Sequence, residues 1–192
     1  GWGQSSDHKS NVLRLESTTQ VRHLFYSNDL VVTTGNLSRK WTHLVITYDG
    51  NNRIMYMNGV FVKSNTTTVA NVTGQNFYIG RRFDNTYPEY FDGSIDDVRI
   101  YNRAITAEEV FELYKARQSI TNKGSLSTIT GSFNDYQLTH TTGQNYEYEG
   151  ALLFDGEKDY IGLEAEKIRG YFHQQSFSIG VWVKFHRADH TT

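Results

Sequence analysis

Cysteine is absent from the 192-residue chain. Its absence excludes disulfides, thiolate zinc sites and cysteine nucleophiles. It says little about the compartment, because a large β core does not need staples. Proline occurs once, at Pro88. A basic excess is also lacking: Lys plus Arg number 19 against 21 Asp plus Glu, for a net charge of -2. No basic excess is thus there to neutralise a phosphate backbone, which argues against nucleic acid as a main partner. No apolar run approaches the ~20 residues of a membrane span. No secretory leader is visible, and the opening "GWGQ" fits a fragment or a mature segment.

What is present is enough for one domain with a substantial core. Apolar residues make up 38% and aromatics 14%, so the chain is not disordered. The triplets at Asn36, Asn65 and Asn71 match the glycosylation acceptor pattern. Such triplets arise by chance in a Thr- and Asn-rich chain, so they permit secretion without arguing for it.

The dominant period is two. "VLRLES" from Val12, "VRHLFYS" from Val21 and "DLVVTT" from Asp29 are short, β-branched or aromatic, and bounded by turn residues. "WTHLVITYDG" sets Leu44, Ile46 and Tyr48 on one face and Trp41, His43 and Val45 on the other. "DG" then turns into "RIMYMNG", and Asn58-Gly59 turns again into "VFVKS". "NFYIG" and "GSIDDVRIY" follow, and late in the chain come "ALLF", "YIGLE" and "SFSIGVWVKF". In the last of these Phe177, Ile179, Val181, Val183 and Phe185 share a face. Many short strands between turns predict a sandwich or barrel.

One helix is predicted at about 106–117. Thr106 and Glu109 form a capping box, and Ile105 with Val110 a hydrophobic staple. Val110, Phe111, Leu113 and Tyr114 supply a buried stripe, and Lys115 and Arg117 suit the helix end. Residues 118–149 are rich in Ser, Thr, Asn and Gly and read as a connector. Trp41 and Trp182 are expected in the core, and Trp2 is ambiguous.

"WTHLVITYDG", "MYMNGVFV", "FYIGRR" and "FDGSIDDVRIYNRAITAEEVFELY" together resemble the second half of a laminin-G-like, concanavalin A-like jelly roll. "ALLFDGEKDYIGLE" followed by "SFSIGVWVKF" resembles the first half. The resemblance implies an all-β fold of two curved antiparallel sheets stacked face to face. The halves stand in reversed order, which leaves three arrangements open. One is a single permuted sandwich over 1–192, with 1–117 as the second half and 150–192 as the first. Another is a window across two tandem repeats. The third is strand exchange that completes a neighbouring molecule. The first is favoured, because 192 residues then close one sandwich.

Candidate chemistry begins with the two adjacent aspartates. Asp96 and Asp97 point to opposite faces of a strand unless a bulge intervenes. An outward Asp96 could join backbone carbonyls and Asp155 around a hard cation, and oxygen-only ligation suits calcium. The resemblance implies a structural calcium at this motif position. The competing reading is an aspartate that pairs with Arg99 or satisfies backbone donors in a turn.

Glycoside hydrolysis needs two facing carboxylates. Glu147 with Glu149, and Glu164 with Glu166, read instead as solvated loop charges, and no Glu-x-Asp-x-x-Glu run is present. His186 and His190 have helical spacing in a strand-and-loop context, where they do not converge. No nucleophile elbow or phosphate loop is present.

The long connection "RRFDNTYPEYFDG" gives the candidate binding loop. Arg81, Arg82, Phe83, Asp84, Asn85, Tyr87 and Tyr90 combine flat rings with amide, carboxylate and guanidinium groups. These are what a polyhydroxylated ligand needs: ring faces for apolar sugar faces, polar groups for hydroxyls. A packing loop that caps the sandwich is the competing reading.

The sequence thus points to a non-catalytic carbohydrate-binding or adhesion module, outside the cell or at its surface, with a glycan or glycoprotein partner. The alternatives are a structural domain that binds protein neighbours in an assembly and, weakest, a glycan hydrolase.

Overall fold

The computed structural model describes residues 1–3, 10–25, 27–67, 76–82, 89–118, 151–163 and 176–186. Two antiparallel sheets dominate. β1 (Trp2–Gly3), β2 (Ser10–Ser17), β3 (Gln20–Leu24) and β4 (Asp29–Thr33) pair in chain order. Their inner positions are Leu13, Leu15, Val21, His23, Leu30 and Val32, and the alternate positions carry Arg14, Glu16 and Arg22. The period-two pattern is thus realised as one face toward the core.

The second sheet holds β5 (Thr42–Tyr48), β6 (Asn52–Met57), β7 (Val60–Thr66), β9 (Asp92–Tyr101), β10 (Leu152–Asp155) and β12 (Phe177–Phe185). Its order is β10-β9-β12-β5-β6-β7. The β5–β6 turn is set by Asp49, whose Oδ1 accepts the backbone N–H of Asn51 at 2.8 Å and of Asn52 at 2.6 Å. Asn58 at φ 51° and Gly59 at φ 79° make the two-residue β6–β7 turn, the left-handed pair that matches strand twist.

β12 lies between β5 and β9, so a strand near the end of the chain fills the middle of this sheet. Its apolar face enters the core, where Val181 pairs with Leu44 and Val183 with Ile95. The Phe177 ring lies 5.6 Å from Tyr48, 6.0 Å from Trp2 and 6.2 Å from Phe25. Trp2 and Trp182 are both buried. Trp41 is only half-buried, with Lys184 Nζ 5.3 Å from its ring centre.

A small pair, β8 (Phe77–Ile79) with β11 (Ile161–Leu163), extends the first sheet. The Gly1 amine donates to the Tyr78 carbonyl at 2.6 Å, and Tyr78 N–H donates back to Gly1 at 2.9 Å. Inward-facing residues of both sheets form one contiguous cluster.

α1 (Ala107–Gln118) covers the outer face of the larger sheet through Val110, with Val45, Tyr56 and Ile105. Its capping box forms: Thr106 Oγ1 accepts the Glu109 N–H at 3.3 Å, and Glu109 Oε2 accepts the Thr106 N–H at 2.8 Å. Tyr114, Trp182 and His43 stack between helix and sheet, with centroids 5.0 to 6.1 Å apart. Phe111 departs from the expected buried stripe and is 44% exposed. Each helical residue rotates about 100°, so Phe111 leaves the face that Val110 and Tyr114 share.

Candidate functional site

The two ends of the long connection after β8 are held together. Arg81 and Tyr90 form an antiparallel bridge, Arg82 N–H donates to the Glu89 carbonyl at 2.9 Å, and Phe91 N–H to Gly80 at 2.8 Å. The structure therefore brings Arg81, Arg82 and Tyr90 together. Phe83, Asp84, Asn85 and Tyr87 lie outside the described residues.

Around Arg81 the structure adds two tyrosines that the sequence reading passed over. In β8, Phe77 and Ile79 face the core, so Tyr78 between them faces outward. Its cross-strand partner is Gly162. A Cβ at Gly162 would stand 3.5 Å from the Tyr78 ring and 3.6 Å from that of Tyr160, so both rings lie over this position. The Arg81 guanidinium carbon sits 4.6 Å from the Tyr78 ring centre, 4.8 Å from Tyr160 and 5.8 Å from Tyr90. Arg81 Nε also donates to the Arg82 carbonyl at 2.9 Å. Three half-buried phenol rings around one cation give flat apolar faces edged by hydroxyls and N–H donors.

Beside this cluster runs a line of ion pairs. Glu89 binds Arg82 at 3.4 Å and Arg14 at 2.9 Å. Arg14 reaches Glu16 at 2.7 Å, Glu16 reaches Arg22 at 3.4 Å, and Arg22 reaches Asp29 at 3.5 Å. Each solvated pair contributes about 1 kcal/mol or less, so the line orients side chains more than it stabilises the fold.

Asp96 and Asp155 are not brought together. Asp155 pairs with Asp92, which stands four residues, or about 13 Å, from Asp96 along the same strand. Both carboxylates have local work. Asp96 Oδ1 accepts the Asp97 N–H at 2.7 Å. Asp155 Oδ1 accepts the N–H groups of Glu157, Lys158 and Asp159 at 2.8 to 3.3 Å. Partial burial works to raise the Asp155 carboxyl, but these backbone donors outweigh it and hold it below its ordinary value. The turn thus engages Asp155 Oδ1, and it is the separation along the strand that keeps Asp155 and Asp96 from sharing one cation. Among the described residues, no group of three or more His, Asp or Glu is arranged for a metal.

The bulge that the sequence left open is present. Gly180 pairs with Arg99 and Trp182 with Asp96, so Asp97 and Val98 together oppose Val181. Asp97 takes φ 48° and turns outward to accept Arg99 Nε at 2.8 Å. Glu147, Glu149, Glu164, Glu166 and His190 lie outside the described residues. His186 Nε2 lies 3.3 Å from Ser94 Oγ.

One buried polar group gave no signal in the sequence. Arg53 alternates inward with Met55, and its guanidinium is fully buried. It donates to the Asn28 carbonyl at 3.0 Å, to Asn65 Oδ1 at 3.1 Å and to the His23 carbonyl at 3.3 Å. It also lies 4.4 Å from the Phe25 ring centre. Burial lowers its pKa to about 10, partly opposed by Asp29. His23 Nδ1 faces Arg53 Nη1 at 3.3 Å. A guanidinium only donates, so Nδ1 accepts, and the proton sits on Nε2, which meets Asn11 Oδ1 at 2.8 Å. Asn65, one of the glycosylation triplets, spends its amide nitrogen on Asn28 Oδ1 at 3.2 Å.

Among the described residues no helix is long and apolar enough to cross a membrane. No curated protein and no solved structure matches the chain. A laminin G family model, described as the concanavalin A-like lectin/glucanases superfamily, matches residues 3–111, more than half of the chain. The match runs from β1 into α1 across strands of both sheets, and on it the chain belongs to the laminin G group of the concanavalin A-like lectin/glucanases superfamily.

Proposed function

We propose that this chain is a non-catalytic recognition module that binds a glycan on the outer tyrosine surface at Tyr78, Arg81, Tyr90 and Tyr160. The observation that carries the reading is the ring cluster itself: three phenols within 5.8 Å of one guanidinium, half exposed. Sugar rings stack their C–H faces on such surfaces while hydroxyls bond the phenol and guanidinium edges. Membership of a lectin and glucanase superfamily supports it, although fold alone does not choose a ligand. The nearby carboxylates favour binding over hydrolysis. Glu89 is shared by two arginines and Asp155 Oδ1 is held by the backbone of its own turn, so both carboxylates have structural partners. An extracellular or cell-surface setting fits this role. The same reading takes the chain as one sandwich with the family's two halves in exchanged order.

A glycan array with Tyr160→Ala and Tyr90→Ala tests it. Each truncation removes one stacking face, about 1 kcal/mol or five- to tenfold in affinity. Unchanged binding in both variants, or no glycan bound by the parent, overturns the reading.

A second reading, protein contact in an assembly, rests on one observation. The edge strand β7 exposes Val60 by 61% and Phe61 by 55%, next to exposed Phe111. Unpaired edge backbone with apolar side chains is a template for strand addition. Light scattering decides it: a monomer at all concentrations removes self-association through β7.

A further inference from the structure

The two sheets do not close fully on each other. A cleft of about 570 Å³ lies between them, within the range of small-molecule sites. Val181 and Val183 of β12 and Leu44 of β5 line it and are buried. Leu13, Leu15 and Ile79 line it from the other sheet; they point inward yet remain half-exposed. Protein interiors hold few voids larger than a water molecule, so an open apolar space of this size is unusual for packing alone.

Strand lengths account for the opening. β1 pairs with β2 only at Ser10 and Asn11. Among the described residues, β2 from Val12 onward has no strand on that side, and β8 is three residues long. Among the described residues the sheet is therefore notched between β2 and β8. Arg14 and Arg82, both held by Glu89, span from β2 to the chain beyond β8.

At this mouth Arg14 and Arg82 are already paired with one carboxylate. Glu89 serves two arginines, and Asp155 Oδ1 is engaged by backbone donors. An ionised ligand would lose its hydration among the apolar walls and would compete with Glu89 for Arg14 and Arg82. We propose that the inter-sheet cleft binds an uncharged, mainly hydrocarbon small molecule, its hydroxyl or carbonyl end left at the Arg14–Glu89–Arg82 mouth. Tyr78, Arg81 and Tyr90 also line the cleft at its opening, so the two surfaces adjoin, but the apolar walls between the sheets carry this proposal without the glycan reading. Linear alcohols and fused-ring alcohols share the required chemistry.

The test is a fluorescence titration of the full chain with Nile red, an uncharged probe. Saturable binding at one equivalent is expected, with displacement by dodecan-1-ol or by decahydro-2-naphthol. Whichever competitor is stronger assigns a linear or a fused-ring ligand. Dodecanoate should displace at least tenfold less well than dodecan-1-ol. Val181→Phe and Leu15→Phe each fill the space from one wall and should weaken probe binding at least tenfold. Glu112→Ala, on the helix outside the cleft, should leave it unchanged. If Val181→Phe loses its cooperative melt, Leu15→Phe on the half-exposed wall decides. Non-saturable probe binding, undiminished binding in the folded filling variants, or equal displacement by dodecanoate overturns the proposal. Failure here leaves the glycan array result untouched, and the reverse also holds.

Discussion

Acidifying the solution from about pH 7.5 to about 5.5 should weaken the fold through His23, a fully buried histidine whose ordinary pKa, about 6.5, falls in that window. Burial, and then the adjacent Arg53 charge, push the His23 pKa well below its ordinary value. In the unfolded chain the imidazole titrates near 6.5, so below that pH the unfolded state binds a proton the native state refuses. Stability therefore falls as the pH falls through the unfolded value. For an imidazole that stays neutral in the native state, the loss follows RT ln(1 + 10^(pKa − pH)), which is below 0.1 kcal/mol at about pH 7.5 and about 1.4 kcal/mol at about pH 5.5. The difference, about 1.3 kcal/mol, is a ceiling for this one group. The buried Gly1 amine, lowered to about 5, and other histidines and carboxylates add their own slopes, so the assay is a comparison. Urea unfolding is followed at both pH values for the parent chain and for His23→Gln, which keeps an amide donor toward Asn11 but does not titrate. The parent should lose up to about 1.3 kcal/mol more than the variant on acidification. Equal losses, or a larger loss in the variant, would refute the neutral His23–Arg53 arrangement.

Other expectations follow from single contacts. Arg53→Met strips donors from the Asn28 carbonyl and Asn65 Oδ1 in a buried site and should cost about 3 kcal/mol in urea unfolding. Thr106→Ala removes the helix cap and should cost about 1 kcal/mol, read from the thermal midpoint and helical circular dichroism. Gly59→Ala meets both a φ of 79° and the rings of Tyr114 and Phe111 at 3.0 to 3.1 Å, so it should cost more than about 1 kcal/mol.

The local features were legible because local physics sets them. The Thr106–Glu109 box, the Asn58-Gly59 turn and the alternating face of β12 each depend on residues a few positions apart. The candidate loop was half legible. "RRFDNTYPEYFDG" announced an aromatic and charged connection, yet Tyr78 read only as strand and Tyr160 as part of a distant segment. An outward tyrosine flanked by Phe77 and Ile79, with a glycine in a partner strand, was the available signal; the partner strand could not be known. Arg53 looked like one more strand residue, since periodicity assigns a face and not a neighbour. The Asp97 bulge was open for the same reason: it exists because β9 must match β12, and that pairing is not written in either strand alone.

By itself, then, the sequence determined that the chain is all-β with one capped helix, that disulfides are excluded, and which side of each ribbon is apolar. Only the tertiary structure decided that β12 enters between β5 and β9, that Tyr78, Tyr90 and Tyr160 gather on Arg81, and that a cleft stays open between the sheets. Backbone preference and hydrophobic period act over a handful of residues. Strand order and side-chain gathering are fixed by how distant segments bury one another, which is a property of the whole fold.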